Sequence, residues 1–274
     1  MSENRRASSR TARAAREPRT TFTGRRTALA AALGLMTFAV GWVCVAHDPA
    51  GTAGAPAHAR TDSRPAAAPR AARDVPRSVM QGLTGISEAT RARIPAGSRQ
   101  LVLVTGKAQD SSESTASLYT RPSAGADWTK VQSWPARNGA KGWSTERAYG
   151  DLTSPVGVFP LTDAGGLLTK PPGTRLPYDE SDGFVATGRG VNGESLEGSF
   201  DYVVAIDFNR RPGNSPLDPV KPEGEEKGGN IWLHVDHDGP SQGCVGIPKD
   251  GMRTLLQFLD PSANPVIAMG PQGF

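Results

Sequence analysis

The run Thr27–Ala46, TALAAALGLMTFAVGWVCVA, divides this chain more sharply than any other feature: it has 20 residues and no charge. At about 1.5 Å per residue, a helix of that length crosses a bilayer core. Arg25 and Arg26 stand directly before it, and residues 1–26 carry eight Arg against Glu3 and Glu17. The positive-inside bias therefore keeps the first 26 residues cytoplasmic and sends everything after Ala46 across the membrane. Small-residue sites, APA and AHA, lie within Ala55–Ala59. The segment is then a retained anchor, which is favoured, or a removed signal, and the rest of the chain is extracytoplasmic, membrane-anchored or secreted.

Residues 47–74 are dominated by Ala, Pro and Arg and carry no hydrophobic period that could repay their ordering entropy. They read as a linker whose prolines favour extended polyproline geometry. The organisation expected is a basic cytoplasmic tail (1–26), a transmembrane or signal segment (27–46), an Ala/Pro/Arg-rich linker (47–78) and one domain (79–274). Although the whole chain has a net charge of +4, the part from Val75 onward holds 19 Lys plus Arg against 22 Asp plus Glu. A mildly acidic domain offers no footprint for nucleic acid, so nucleic acid is excluded as a partner, and a monomer is expected.

The domain reads as mainly β (β-rich α+β) with few helices. After a helical or irregular lead-in from Val79, strands are expected at Arg99–Gly106, Ala116–Thr120, Lys130–Trp134, Gly157–Leu161, Tyr202–Phe208, Ile231–Val235 and Val266–Met269, most of them short, aliphatic and bounded by Gly, Pro, Asn or Asp. In Lys249–Asp260, Met252, Leu255, Leu256 and Leu259 recur at helical spacing. The Gly/Pro-rich stretches Gly165–Gly198 and Arg211–Gly229 suit functional loops beside a site.

There are two cysteines, Cys44 inside the apolar run and Cys244 beyond it. They cannot pair within one chain, so an exported domain is left with one thiol: a buried small hydrophobe, an intermolecular link or a reactive group. Its surroundings, GGNIWLHVDHDGPSQGCVGIP (Gly228–Pro248), hold two of the four His. In a strand from Ile231, residues Trp232, His234 and Asp236 share the face opposite Ile231, Leu233 and Val235. A tight connection, Asp238–Ser241, then returns the chain, so that His234 stands beside Cys244. An imidazole there raises the thiolate fraction and later returns the proton to a leaving amine. Gly243 leaves room for substrate, amides near Gln242–Cys244 suit an oxyanion hole, and Ser241 supports the turn.

The segments IWLH and SQGC, with TSPVGVF (Thr153–Phe159) upstream, resemble the YkuD family of L,D-transpeptidases, whose pattern is a strand-end His, a [S/T]-x-G-C turn and an earlier T-P-x-G-x-[F/Y] segment. The likeness runs loosely from QLVLVTG to PVIAMG and covers none of the N-terminal quarter. It implies a β-sandwich in which the Cys attacks a peptidoglycan stem tetrapeptide, expels the terminal D-Ala and passes the acyl group to a neighbouring stem, giving the 3→3 cross-links of cell-wall synthesis. Carbapenems would acylate the same thiol, and no metal or organic cofactor is implied. Carried over by position, Cys244 is the nucleophile and His234 the base. The backbone at Val235 orients the imidazole, and the Gly243 and Cys244 amides hold the oxyanion, with Gln242 and Ser241 in the same turn. Trp232, Asp236 and His237 are the expected substrate contacts. Gln242 stands where a His is frequent, the His-to-Cys loop is shorter than usual, and no Arg follows the Cys, so the donor or acceptor differs from the family norm.

Four rival readings remain, the first a zinc site of His234, His237 and Cys244 with Asp236 or Asp238, whose spacing matches no common zinc motif. His237 is an alternative base, although it follows Asp236 in what reads as an exposed turn. The same thiol chemistry ending in water would make an L,D-carboxypeptidase or amidase. A wall-binding module that has lost turnover is the reading from another class.

Overall fold

The computed structural model describes residues 82–274. The basic tail, the apolar run with Cys44 and the Ala/Pro/Arg-rich linker lie outside the described residues. Twelve strands follow one another as β1 (Gln100–Gly106), β2 (Glu113–Thr120), β3 (Thr129–Arg137), β4 (Trp143–Ser144), β5 (Ser154–Pro155), β6 (Gly157–Pro160), β7 (Ala164–Gly166), β8 (Tyr178–Glu180), β9 (Val203–Ala205), β10 (Trp232–Val235), β11 (Val245–Ile247) and β12 (Val266–Pro271). The helices are α1 (Glu88–Arg93) and α2 (Lys249–Phe258).

The mainly β character with few helices is as expected. Ten strands join in one curled mixed sheet, in the order β6-β12-β1-β2-β3-β11-β10-β9-β7-β8, with β4 and β5 as a separate parallel pair. β1 is almost continuously apolar because it is covered on both faces. Val102 and Val104 join the main core with Leu118, Ile267 and Met269. Leu101 and Leu103 face a second cluster with Ile94, Val266 and Ala268.

Helix α2 buries Met252, Leu255 and Leu256 and packs on β10. Gly251 lets it approach closely, since a Cβ there would stand 3.1 Å from the Trp134 indole nitrogen. Helix α1 starts at Ser87, whose hydroxyl accepts from the Thr90 amide at 3.1 Å.

The strands left unforeseen, β4, β5, β7, β8 and β11, have only two or three residues each. Of the expected strand Tyr202–Phe208, only Val203–Ala205 pairs.

The connection after β10 also differs from a tight return. β10 and β11 run parallel, with Leu233 opposite Val245 and His234 opposite Gly246. The loop between them carries the chain back to the start of β10. It is tied down on the way: the Ser241 amide donates to Asn138 O at 3.0 Å, and the Ala140 amide donates to Ser241 O at 2.9 Å.

Candidate active site

Alternation along β10 sends Ile231, Leu233 and Val235 into the main core and Trp232 to the other side, where it packs with Phe184, Phe200 and Cys244. The parallel register sets Cys244 beside Trp232, one step before the Leu233–Val245 pair. Cys244 and His234 are thus diagonal neighbours on one face of adjacent strands, and both line one cavity of about 480 Å³. The Trp232 amide donates to the Cys244 sulfur at 3.4 Å, and the thiol donates to Asn230 O at 3.6 Å. Burial pushes the thiol up, while the Trp232 amide and the Arg147 charge pull the other way.

The His234 ring is buried and held on several sides. Its Nδ1 lies 2.8 Å from Val235 O. A carbonyl only accepts, so the proton is assigned to Nδ1, which leaves the Nε2 lone pair free to accept a proton. Phe200 meets the ring edge-on at 5.8 Å and 89°, and His237 stacks on it at 5.5 Å and 3°. On the neighbouring strand, a Cβ at Gly246 would come within 3.4 Å of the ring. Desolvation lowers the imidazole to about 4, against a weaker upward pull from the Val235 hydrogen bond. At neutral pH the pair is therefore a neutral thiol beside a neutral imidazole, and not the pre-ionised thiolate that the His-to-Cys spacing suggests.

The turn before Cys244 is braced from beneath. The Ser241 hydroxyl donates to Cys244 O at 2.6 Å and accepts from the Gly243 amide at 3.0 Å. The Gly243 amide, an expected oxyanion donor, is thereby committed to Ser241. The Ser154 hydroxyl donates to Gly243 O at 2.7 Å and accepts from the Gly139 amide at 2.9 Å. Gly243 has a φ of +140°. A Cβ there would stand 2.9 Å from both Thr153 O and an Arg147 terminal nitrogen, so the position requires glycine.

Segment 185–200 covers one side of the cavity with Val185, Val191, Leu196 and Phe200, while Asn230, Gln242 and Arg147 add polar groups. Glu194, on that segment, reaches back to His237: Oε1 and Nδ1 are 3.1 Å apart, at ion-pair distance but off-line for a hydrogen bond. The His237 side chain is 6% exposed. It is therefore buried against His234 and does not stand in an exposed turn. Asp236 does not line the cavity, because its carboxylate pairs with Arg137 on β3. Gln242, Ser241, Trp232 and His237 do line it, and Val235 and Gly243 contribute through their backbones.

Four residues were not singled out from sequence: Arg147, Ser154, Glu194 and Phe200. Ser154 lies inside TSPVGVF, and Glu194 and Phe200 lie in or just beyond the Gly/Pro-rich stretch, so their segments were marked while their side chains were not. Arg147 lay in a segment with no signal at all. No group of three His, Cys, Asp or Glu among the described residues is placed to hold a metal ion.

Compared with known proteins, the chain matches no family model and no curated sequence.

Proposed function

We propose that this chain is an exported cysteine acyltransferase acting on peptidoglycan stem peptides, a YkuD-type L,D-transpeptidase, anchored by or released from its N-terminal segment. The curled sheet is read as that family's β-sandwich. One observation carries the reading: a buried imidazole with its Nε2 lone pair unengaged, and the domain's single thiol, lie diagonal to each other in one cavity.

The chemistry follows from the neutral pair. As Cys244 attacks the carbonyl of the donor's penultimate residue, the S–C bond forms and the thiol proton passes to His234 Nε2. Breakage of the C–N bond expels D-Ala, which takes that proton on its amine. An acceptor amine then attacks the thioester: the N–C bond forms, the S–C bond breaks, and the amine proton returns through His234 to the sulfur. Ionisation is coupled to attack, because the desolvated site disfavours separated charge beforehand. The hydrogen bond from Nδ1 to Val235 O keeps the ring in the tautomer that accepts at Nε2. Of the expected oxyanion donors, the Cys244 amide is retained here and the Gly243 amide is not.

Incubation of the protein with a labelled tetrapeptide stem and an amine acceptor tests the reading. A cross-linked dimer with released D-Ala is expected, and it should be lost in Cys244→Ala. Tripeptide alone would make the protein a hydrolase using the same pair. Absence of any turnover, with no adduct on Cys244 after carbapenem exposure, would favour the binding module.

A further inference from the structure

Arg147 is the charged residue of the cavity that the acyl-transfer steps leave without a task. It is 8% exposed, sits between β4 and β5, and lines the cavity with Cys244, Gln242 and Trp232. Its guanidinium is fixed by three backbone carbonyls: Nε donates to Thr153 O at 2.7 Å, Nη1 to Lys227 O at 3.2 Å and Nη2 to Gln242 O at 3.1 Å. A guanidinium has five N–H groups, so one on each terminal nitrogen is left over.

No carboxylate among the described residues lies within ion-pair distance of Arg147. Asp151, the acidic residue that acts on it electrostatically, directs its carboxylate to the Ala148 amide and to the amide and hydroxyl of Thr153. The domain's other buried arginines are placed differently: Arg210 holds Asp163 at 2.9 Å and also pairs with Asp207, and Arg121, bound by the carbonyls of Pro95, Ala96 and Ser98, lies 4.3 Å over the Trp128 ring and does not line this cavity. A buried cation held by carbonyl dipoles alone remains uncompensated, and a planar fork with one N–H on each arm matches the two oxygens of a carboxylate.

We propose that Arg147 forms a carboxylate-binding subsite of this cavity, which takes the terminal carboxylate of the acyl donor and sets the donor's scissile carbonyl at Cys244. The subsite follows from the guanidinium's own surroundings, whereas its assignment to the donor rests on the acyl-transfer reading above. The leaving residue carries its carboxylate one carbon beyond the scissile nitrogen. Arg147 bonds the Gln242 carbonyl, two residues before Cys244, and shares the cavity with the sulfur, so the cation lies within reach of a donor held at Cys244. A donor whose terminal carboxylate is amidated loses this anchor and binds more weakly.

The test uses iodoacetate and iodoacetamide, two thiol reagents of nearly equal size that differ by a carboxylate. Rates of modification at Cys244 in the full-length chain are read by peptide mass mapping, so that Cys44 is followed separately. The ratio of iodoacetate to iodoacetamide rates is expected to be at least about tenfold higher in wild type than in Arg147→Met, with Arg147→Lys between them. An unchanged ratio, with both reagents slowed alike, would mean that the guanidinium acts on the thiol or the turn, and would overturn the subsite.

A second measurement needs no variant. N-acetyl-D-alanine should protect wild-type Cys244 from iodoacetamide, and N-acetyl-D-alaninamide should not; equal protection, or none from either, contradicts the proposal. Neither measurement requires turnover, so failure of the subsite is read separately from failure of the acyl-transfer reading, which shows only in the peptide transfer assay.

Discussion

The two sides of the sheet are built differently. Strands β1, β2, β3 and β12 have seven, eight, nine and six residues, and their backbones are satisfied strand to strand in long registers. Strands β10, β11, β9, β7 and β8 have four, three, three, three and three, and side chains hold the intervening chain. Arg147 gathers three carbonyls, Ser154 joins Gly139 to Gly243, and Asn209 bonds the carbonyls of Gly224 and Gly228. A ladder uses both of a residue's backbone groups in a regular way and leaves nothing for a ligand. Loops fixed by buried polar side chains can aim a thiol, an imidazole and a guanidinium into one space, and each such side chain becomes indispensable. Stability is expected to reside in the long-strand side and chemistry in the short-strand side.

The sharpest division should come from His234→Ala. The transfer rate is expected to fall about 10²- to 10⁴-fold, measured per folded molecule on a tetrapeptide donor, as for loss of a general base. A fall of less than about tenfold would remove His234 from the chemistry. On the other side, Leu118 is fully buried, and Leu118→Ala should cost about 2–5 kcal/mol in denaturant unfolding while leaving the rate per folded molecule unchanged. A slowed reaction at full folding would break the comparison.

The buried imidazole also couples the site to pH. Its folded value of about 4 lies below the unperturbed 6.5, so as pH falls the unfolded chain takes up the proton first. The associated stability is fully present above pH 6.5 and is lost as pH falls toward 4, by roughly 3 kcal/mol in all. Denaturation midpoints across that window should slope in wild type and slope less in His234→Gln. Equal slopes would mean that the ring is not desolvated.

The smallest contrast pairs two serines. Ser154→Ala leaves the buried Gly139 amide and Gly243 carbonyl without their shared partner and should cost about 2 kcal/mol. Ser117→Ala, in β2, loses only a 3.3 Å contact to the Ser133 hydroxyl and should cost less than about 1 kcal/mol in the same assay. Equal costs would erase the distinction.

The same division governs what could be read from the sequence. β1 and β12 were legible because buried strands write long aliphatic runs such as QLVLVTG and VIAM, and α2 because its leucines repeat with the helical period. β7, Ala164–Gly166, carries almost no side-chain signal: its glycines exist to admit neighbours, since a Cβ at Gly166 would stand 2.3 Å from Asp201 O. Cys244 and His234 were legible through residue type and spacing, but the environment that sets their protonation was not. Desolvation of the His234 ring comes from Phe200 and His237, and the covering segment reaches His237 through Glu194. The contacts of Phe200 and Glu194 join residues far apart along the chain, and no local pattern records them. Arg147 escaped for the same reason, because two of its three hydrogen bonds leave its own segment for Lys227 and Gln242, in turns whose positions only the fold defines.

The most direct test is a covalent one. Wild-type protein mixed with a tetrapeptide stem and no acceptor, quenched in acid and mapped by mass spectrometry, should carry the donor minus D-Ala as a thioester on Cys244, and Cys244→Ala should carry none. Cross-linked product formed at the wild-type rate by Cys244→Ala, or an acyl group found on any other residue, would contradict the account.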